Sequence, residues 1–182
     1  MSYAIQPGGG GKWWLSEEIT TIDITSSNVS NETTLAESVV EADTVVQWLG
    51  DEAVSSPATG ASRHRCLVRL DPANPTTKIQ GERGAGGETT TTRVSVKQID
   101  RSVIKSIQQV ETTTNANPKD VTIAAVTDKD NCDVIPAGGF AGSNHWYDMT
   151  ASWYLTSNTN LRITNKNAPG YTVGVWILEY IR

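Results

Sequence analysis

Histidine and cysteine are almost missing from this sequence: His64, His145, Cys66 and Cys132 are the only four in 182 residues. Two cysteines cannot form the disulfide framework of a small secreted domain, and both are expected to stay reduced. The four soft ligands also lack the paired short spacing of a closed zinc site. Basic residues are outnumbered, 15 Lys and Arg against 20 Asp and Glu, for a net charge of −5. That balance argues against a nucleic-acid partner, and no polybasic run suits a membrane surface. No segment approaches the apolar length that spans a bilayer. The first residues, MSYAIQPGGGGKWW, have neither the charged nor the apolar region of a secretory signal, so synthesis in a cytoplasm is expected. Phenylalanine occurs once, at Phe140, and methionine twice.

What replaces these residues is Thr, Ser, Asn and Gly, with the aromatic content concentrated in six Trp and five Tyr. Such a composition suits strands with one wet face and many turns. Trp and Tyr keep a polar tip that fits half-wet surfaces and subunit interfaces. The length fits one domain, or one domain with an appended arm.

The strongest pattern lies at the end of the chain. Ala151, Trp153 and Leu155 alternate with polar neighbours, the alternation resumes at Leu161 and Ile163, and Pro169-Gly170 turns into Tyr171, Val173, Val175 and Ile177. Period-two patterning bounded by Asn, Pro and Gly predicts three half-buried antiparallel strands joined by hairpins. Further strands are predicted over 18–25, 65–70, 89–96, 120–127 and 133–136. Residues 73–88 and 137–144 read as Gly-rich loops. Thr34 with Glu37 forms a capping box, and Leu35, Val39, Ala42, Val46 and Leu49 recur at helical spacing before Gly50. That predicts a helix, against which stand the β-branched pairs Val39-Val40 and Val45-Val46. Ile99, Val103, Ile107 and Val110 have helical spacing too, with a strand pair as the alternative. The polar run 112–118 divides the chain into a flexible arm (1–12), a mixed, mainly β part (13–111) and a C-terminal antiparallel β part (112–182), the last two forming separate domains or one.

Motifs with chemistry are weak. Gly8–Lys12 lacks the preceding strand and the following Ser or Thr of a phosphate loop. Asp128–Asp133 has neither the turn glycine nor the terminal bidentate Glu of an EF-hand. Asn28 and Asn31 head glycosylation-type triplets that read as chance matches in an Asn- and Thr-rich chain. There is no G-x-S-x-G elbow, and no carboxylate pair is marked out. The expectation is therefore no enzyme, no cofactor and no metal, the alternative being a centre built from His64, Cys66, Cys132 and His145. Aromatics are the remaining candidates. Trp13 and Trp14 follow the Gly run and suit an anchor for an arm that orders against a neighbouring subunit. Trp146 and Tyr147 suit an interface or a stacking platform for sugar rings, whereas Trp153 and Trp176 suit packing.

The C-terminal run of WYL, NLRIT, an Asn/Pro/Gly loop and a last strand closing on Glu179-Tyr180-Ile181 resembles the final strands of β-sandwich subunits in tailed-bacteriophage virions. The resemblance covers roughly the last third of the chain and rests on strand texture. It implies a mainly β, antiparallel, jelly-roll-like sandwich with a flexible N-terminal arm and one or two short helices in the N-terminal half. It also implies a virion structural subunit, a capsid decoration or tail-fibre or adaptor protein, whose partners are other virion proteins and copies of itself, as a trimer. The alternative function is a carbohydrate-binding β-sandwich that uses Trp146 and Tyr147.

Overall fold

The computed structural model describes residues 12–25, 29–53, 66–84, 89–114, 116–141, 151–165 and 170–182. Its regular structure is strand, with two single 3-10 turns at Glu41–Asp43 and Lys129–Asn131 and no α-helix among the described residues. The strands are β1 (Trp14–Ile24), β2 (Ser30–Thr34), β3 (Thr44–Ala53), β4 (Leu67–Leu70), β5 (Lys78–Glu82) and β6 (Thr90–Ile99). They continue with β7 (Ile104–Thr114), β8 (Lys119–Thr122), β9 (Cys132–Ala141), β10 (Ala151–Ser157), β11 (Asn160–Asn165) and β12 (Tyr171–Tyr180). They form three antiparallel sheets, ordered β1-β6-β3, β10-β11-β8 and β2-β5-β4-β9-β12-β7. The six-stranded sheet draws strands from both sides of Thr112.

β12 organises the molecule. Trp176, Leu178 and Tyr180 on one face join a core with Ile22, Ile24, Val46, Val94, Val96, Leu67 and Ile79. Tyr171, Val173, Val175 and Ile177 on the other face join a second core with Ile123, Val126, Leu161 and Ile163. Each fully buried Val or Ile is worth roughly 1.5–3 kcal/mol over its exposed state. The small sheet therefore contributes several kcal/mol by covering the second face.

The six-stranded sheet is curled into a half-barrel. Arg69 on β4 lies three strand positions from Glu111 on β7, roughly 14 Å in a flat sheet, yet their side chains meet at 3.1 Å. Glycines permit the curl. Leu67 lies over Gly174, where a methyl would overlap it. Gly138, at φ 93°, passes directly against the Cys66 carbonyl. The seam between β4 and β9 consists of the Leu67 and Gly138 pairing together with a 3.1 Å bond from the Gly139 N–H to the Cys66 carbonyl.

Several expectations need correction. The predicted helix over 34–49 is instead the end of β2, an irregular segment, a 3-10 turn and the start of β3. Val45 and Val46 are both fully buried although adjacent residues of a strand face opposite ways. Burial on two sides filled in the alternation and produced an apparent helical spacing. The stretch from Ile99 to Val110 is the β6–β7 hairpin, turned by Asp100, whose Oδ1 accepts from the Ser102 N–H and hydroxyl. The loop predicted over 73–88 contains β5, paired on both sides by β2 and β4. Of the loop predicted over 137–144, residues 137–141 belong to β9, where Gly138 and Gly139 are what the close neighbours admit, and 142–144 lie outside the described residues. The strand predicted over 120–127 is confined to β8. β12 is not a half-buried hairpin partner of β11. It pairs with β9 and β7, while β11 pairs with β10 and β8. The N-terminal arm, apart from Lys12, lies outside the described residues.

Candidate subunit-contact surface

The sheet β1-β6-β3 carries Val46, Val94 and Val96 on one face; the other face is also buried at its centre, where Val45 and Ser95 are fully buried, and is exposed along β1. Register fixes the rows of this second face: Glu17 beside Lys97 beside Val45, then Ile19 beside Ser95 beside Gln47. Opposed residues of an antiparallel pair share a face, so these side chains meet. The Lys97 ammonium donates to Gln47 Oε1 at 2.6 Å and lies 3.6 Å from Glu17 Oε1. The Ser95 hydroxyl donates to the same Glu17 oxygen at 2.5 Å.

Trp13 and Trp14 close the end of this face. Their rings meet edge to face at 4.9 Å, and Lys97 Nζ lies 5.3 Å from the Trp13 ring and 4.8 Å from the Trp14 ring. A cation over an indole face is worth about 0.5–2 kcal/mol, more as water is excluded. Lys97 is only 8% exposed. Burial lowers its pKa, an effect that Glu17 opposes. The Trp13 carbonyl accepts from the Asp100 N–H at 2.9 Å and ties the pair to the β6–β7 turn. The two tryptophans are thus an anchor that pins the chain to the sheet where β1 begins.

Immediately beyond the anchor, Leu15 is 74% and Ile19 53% exposed. Leu15 is the extra residue of a bulge between Trp14 and Ser16. β1 ends its sheet, so one of its backbone edges faces away from β6. On that edge Asn31 Nδ2 and the Thr33 hydroxyl, both from β2, donate to the carbonyls of Asp23 and Thr21. N–H and C=O groups of alternate strand residues share an edge, so Glu17 and Ile19 face the same way. Their backbone groups on that side have no partner among the described residues.

A concavity of about 500 Å³ is lined by residues that include Trp176, Arg69, Ile107, Gln109, Glu41 and Pro72. Arg69 and Gln109 are committed within it. Arg69 donates to Gln80, Glu82 and Glu111, and the Gln109 amide donates to Glu111. Trp176 Nε1 donates to the Val46 carbonyl at 2.8 Å and is packing, as its position in the sequence suggested. Trp153 packs against the second core.

Trp146, Tyr147, His64 and His145 lie outside the described residues. The two cysteines are free thiols that belong to different cores. Burial, and then Asp51, push the Cys66 thiol up to about 12, and burial with Glu179 and Asp128 takes Cys132 to about 11. Among the described residues no three His, Cys, Asp or Glu side chains gather as a metal site would require. Sequence reasoning named the tryptophan pair but missed Lys97 beneath it and the exposed Leu15 and Ile19 beside it. The apolar–acid–apolar spacing of Leu15, Glu17 and Ile19 was the available signal.

No protein-family model matches this chain, and no curated protein or solved structure does.

Proposed function

We propose that this chain is a non-enzymatic structural subunit of a tailed-bacteriophage virion, a decoration or fibre or adaptor protein that binds the capsid or tail and its own copies. The observation carrying this reading is the exposed apolar pair Leu15 and Ile19 on a strand edge whose backbone groups have no partner among the described residues, next to the Trp13–Trp14–Lys97 cluster. Exposed apolar side chains beside an uncovered edge favour association. A body with two closed cores on either side of β12 supplies the stiffness such a role needs. Sheets stacked on both faces of β12 are also compatible with the layered, jelly-roll-like sandwich of that class.

Light scattering on the purified chain, together with immunogold labelling of phage particles from cells that carry the gene, tests this reading. A homo-oligomer and labelled particles are expected. A monomer at every concentration, with unlabelled particles, would overturn it.

A further inference from the structure

We propose that the outer face of the sheet β10-β11-β8 binds a neutral oligosaccharide, with one sugar ring stacked on Tyr154 and its hydroxyls bonded to the Arg162–Asp120 pair. The inference goes beyond the assembly reading and does not depend on it. Alternation separates the two faces of this sheet. Trp153, Leu155, Leu161 and Ile163 pack into the second core, so the residues between them face out. Register lines up Tyr154, Arg162 and Asp120 as one row across the three strands.

The row is ordered by its own hydrogen bonds. Arg162 Nε and Nη2 donate to the two Asp120 carboxylate oxygens, each at 2.8 Å, a bidentate pairing that fixes both side chains. Asn160 Nδ2 donates to Asp120 Oδ1 at 3.1 Å and to the Thr156 hydroxyl at 2.6 Å. Arg162 also donates to the Tyr154 hydroxyl, which tethers a ring that is 47% exposed. Each carboxylate oxygen accepts about two bonds, so Asp120 Oδ2 retains room for a ligand hydroxyl. Ser152 and Thr164 bond each other through their hydroxyls on one side of the row, and Thr122 stands opposite Asn160 on the other.

The chemistry of this face selects its occupant. Guanidinium and carboxylate cancel, so the row offers donors and acceptors without net charge, which suits a neutral polyol and not an anionic polymer. Tyr154 is the one exposed large apolar side chain here among the described residues, too little for the apolar centre of a protein interface. A sugar ring has an apolar C–H side for an aromatic face to cover and a rim of hydroxyls for Asp120, Asn160 and the flanking Ser and Thr. Three strands wide and Ser152 to Thr156 long, the platform measures roughly 10 by 13 Å, room for a short oligosaccharide.

Retention of the full-length chain on a printed array of neutral gluco-, manno- and galacto-oligosaccharides, with sialylated counterparts, tests this. Binding to neutral spots is expected. Tyr154→Ala should weaken it about tenfold, whereas Tyr154→Phe keeps the ring and should keep most of the binding. Thr122→Arg adds bulk and charge to the same face without touching the core and should also lose retention, with circular dichroism spectra unchanged in all three variants. A wild type that binds no neutral spot, or binding that Tyr154→Ala and Thr122→Arg leave unchanged, would overturn the inference. The oligomer seen by light scattering bears on the assembly reading alone.

Discussion

Replacing Gly138 by alanine tests the argument that the half-barrel is held at one tight seam. At φ 93° the residue occupies backbone space that costs an L-residue about 1–2 kcal/mol. The added methyl would overlap the Cys66 carbonyl oxygen and stand 3.3 Å from the Trp48 ring. Forced overlap in a packed interior costs typically about 1–3 kcal/mol. Shifting Cys66 also strains the bond from the Gly139 N–H, worth about 1 kcal/mol. The expected loss is about 3–6 kcal/mol, a large share of the ~5–15 kcal/mol by which domains are stable. For a chain of this size the melting temperature should fall by roughly 6–24 °C. Gly170→Ala is the control. It has nearly the same φ, 90°, but open space around its Cβ position, so it should lose only the backbone strain. Urea unfolding with native-state hydrogen exchange would read both, and amides of β4 and β9 should lose protection first in Gly138→Ala. Equal losses in the two variants would refute the steric seam.

Two further expectations concern buried charge. Burial pushes the Glu179 carboxyl up, but hydrogen bonds from the Ser106 hydroxyl, the Thr127 N–H and Lys105 outweigh it and hold its pKa below the ordinary value. Its stabilisation is therefore complete above about pH 4.5 and is lost as pH falls through the lower folded value. The stability gap between wild type and Glu179→Gln should shrink from pH 6 to pH 3 in urea titrations, and a constant gap would contradict this. Lys97 has the opposite sign. Its folded pKa is depressed, so the cost of burying the charge is relieved as pH rises from that value toward 10.5. Wild type should gain stability relative to Lys97→Met between pH 7 and pH 10, and parallel denaturation midpoints would count against it.

Strand character was legible where one face is buried and one is wet. Ile22 and Ile24 alternate with exposed Thr21 and Asp23 in β1, and Leu161 and Ile163 alternate with half-buried Arg162 and Thr164 in β11. Trp13 and Trp14 stood out as a bulky pair after a glycine run; that they stack over Lys97 of their own sheet was not legible there. The conformation of β3 was not. Its apolar residues serve both faces, and period two disappears when both sides need hydrophobic groups. Glycines misled for a related reason. Gly138 and Gly139 read as loop punctuation, yet they sit within a strand because the Cys66 and Thr172 carbonyls leave no room for a side chain.

From the residues alone came the secondary-structure class, the excess of acidic over basic residues, and the tryptophan pair ahead of the first strand. These depend on local composition and spacing. Only the fold decided that β12 divides two cores, that Lys97 lies under the tryptophans, and that Leu15 and Ile19 stand exposed beside them. Each depends on which strands become neighbours, and the free energy that selects those pairings comes from contacts between residues far apart in the chain.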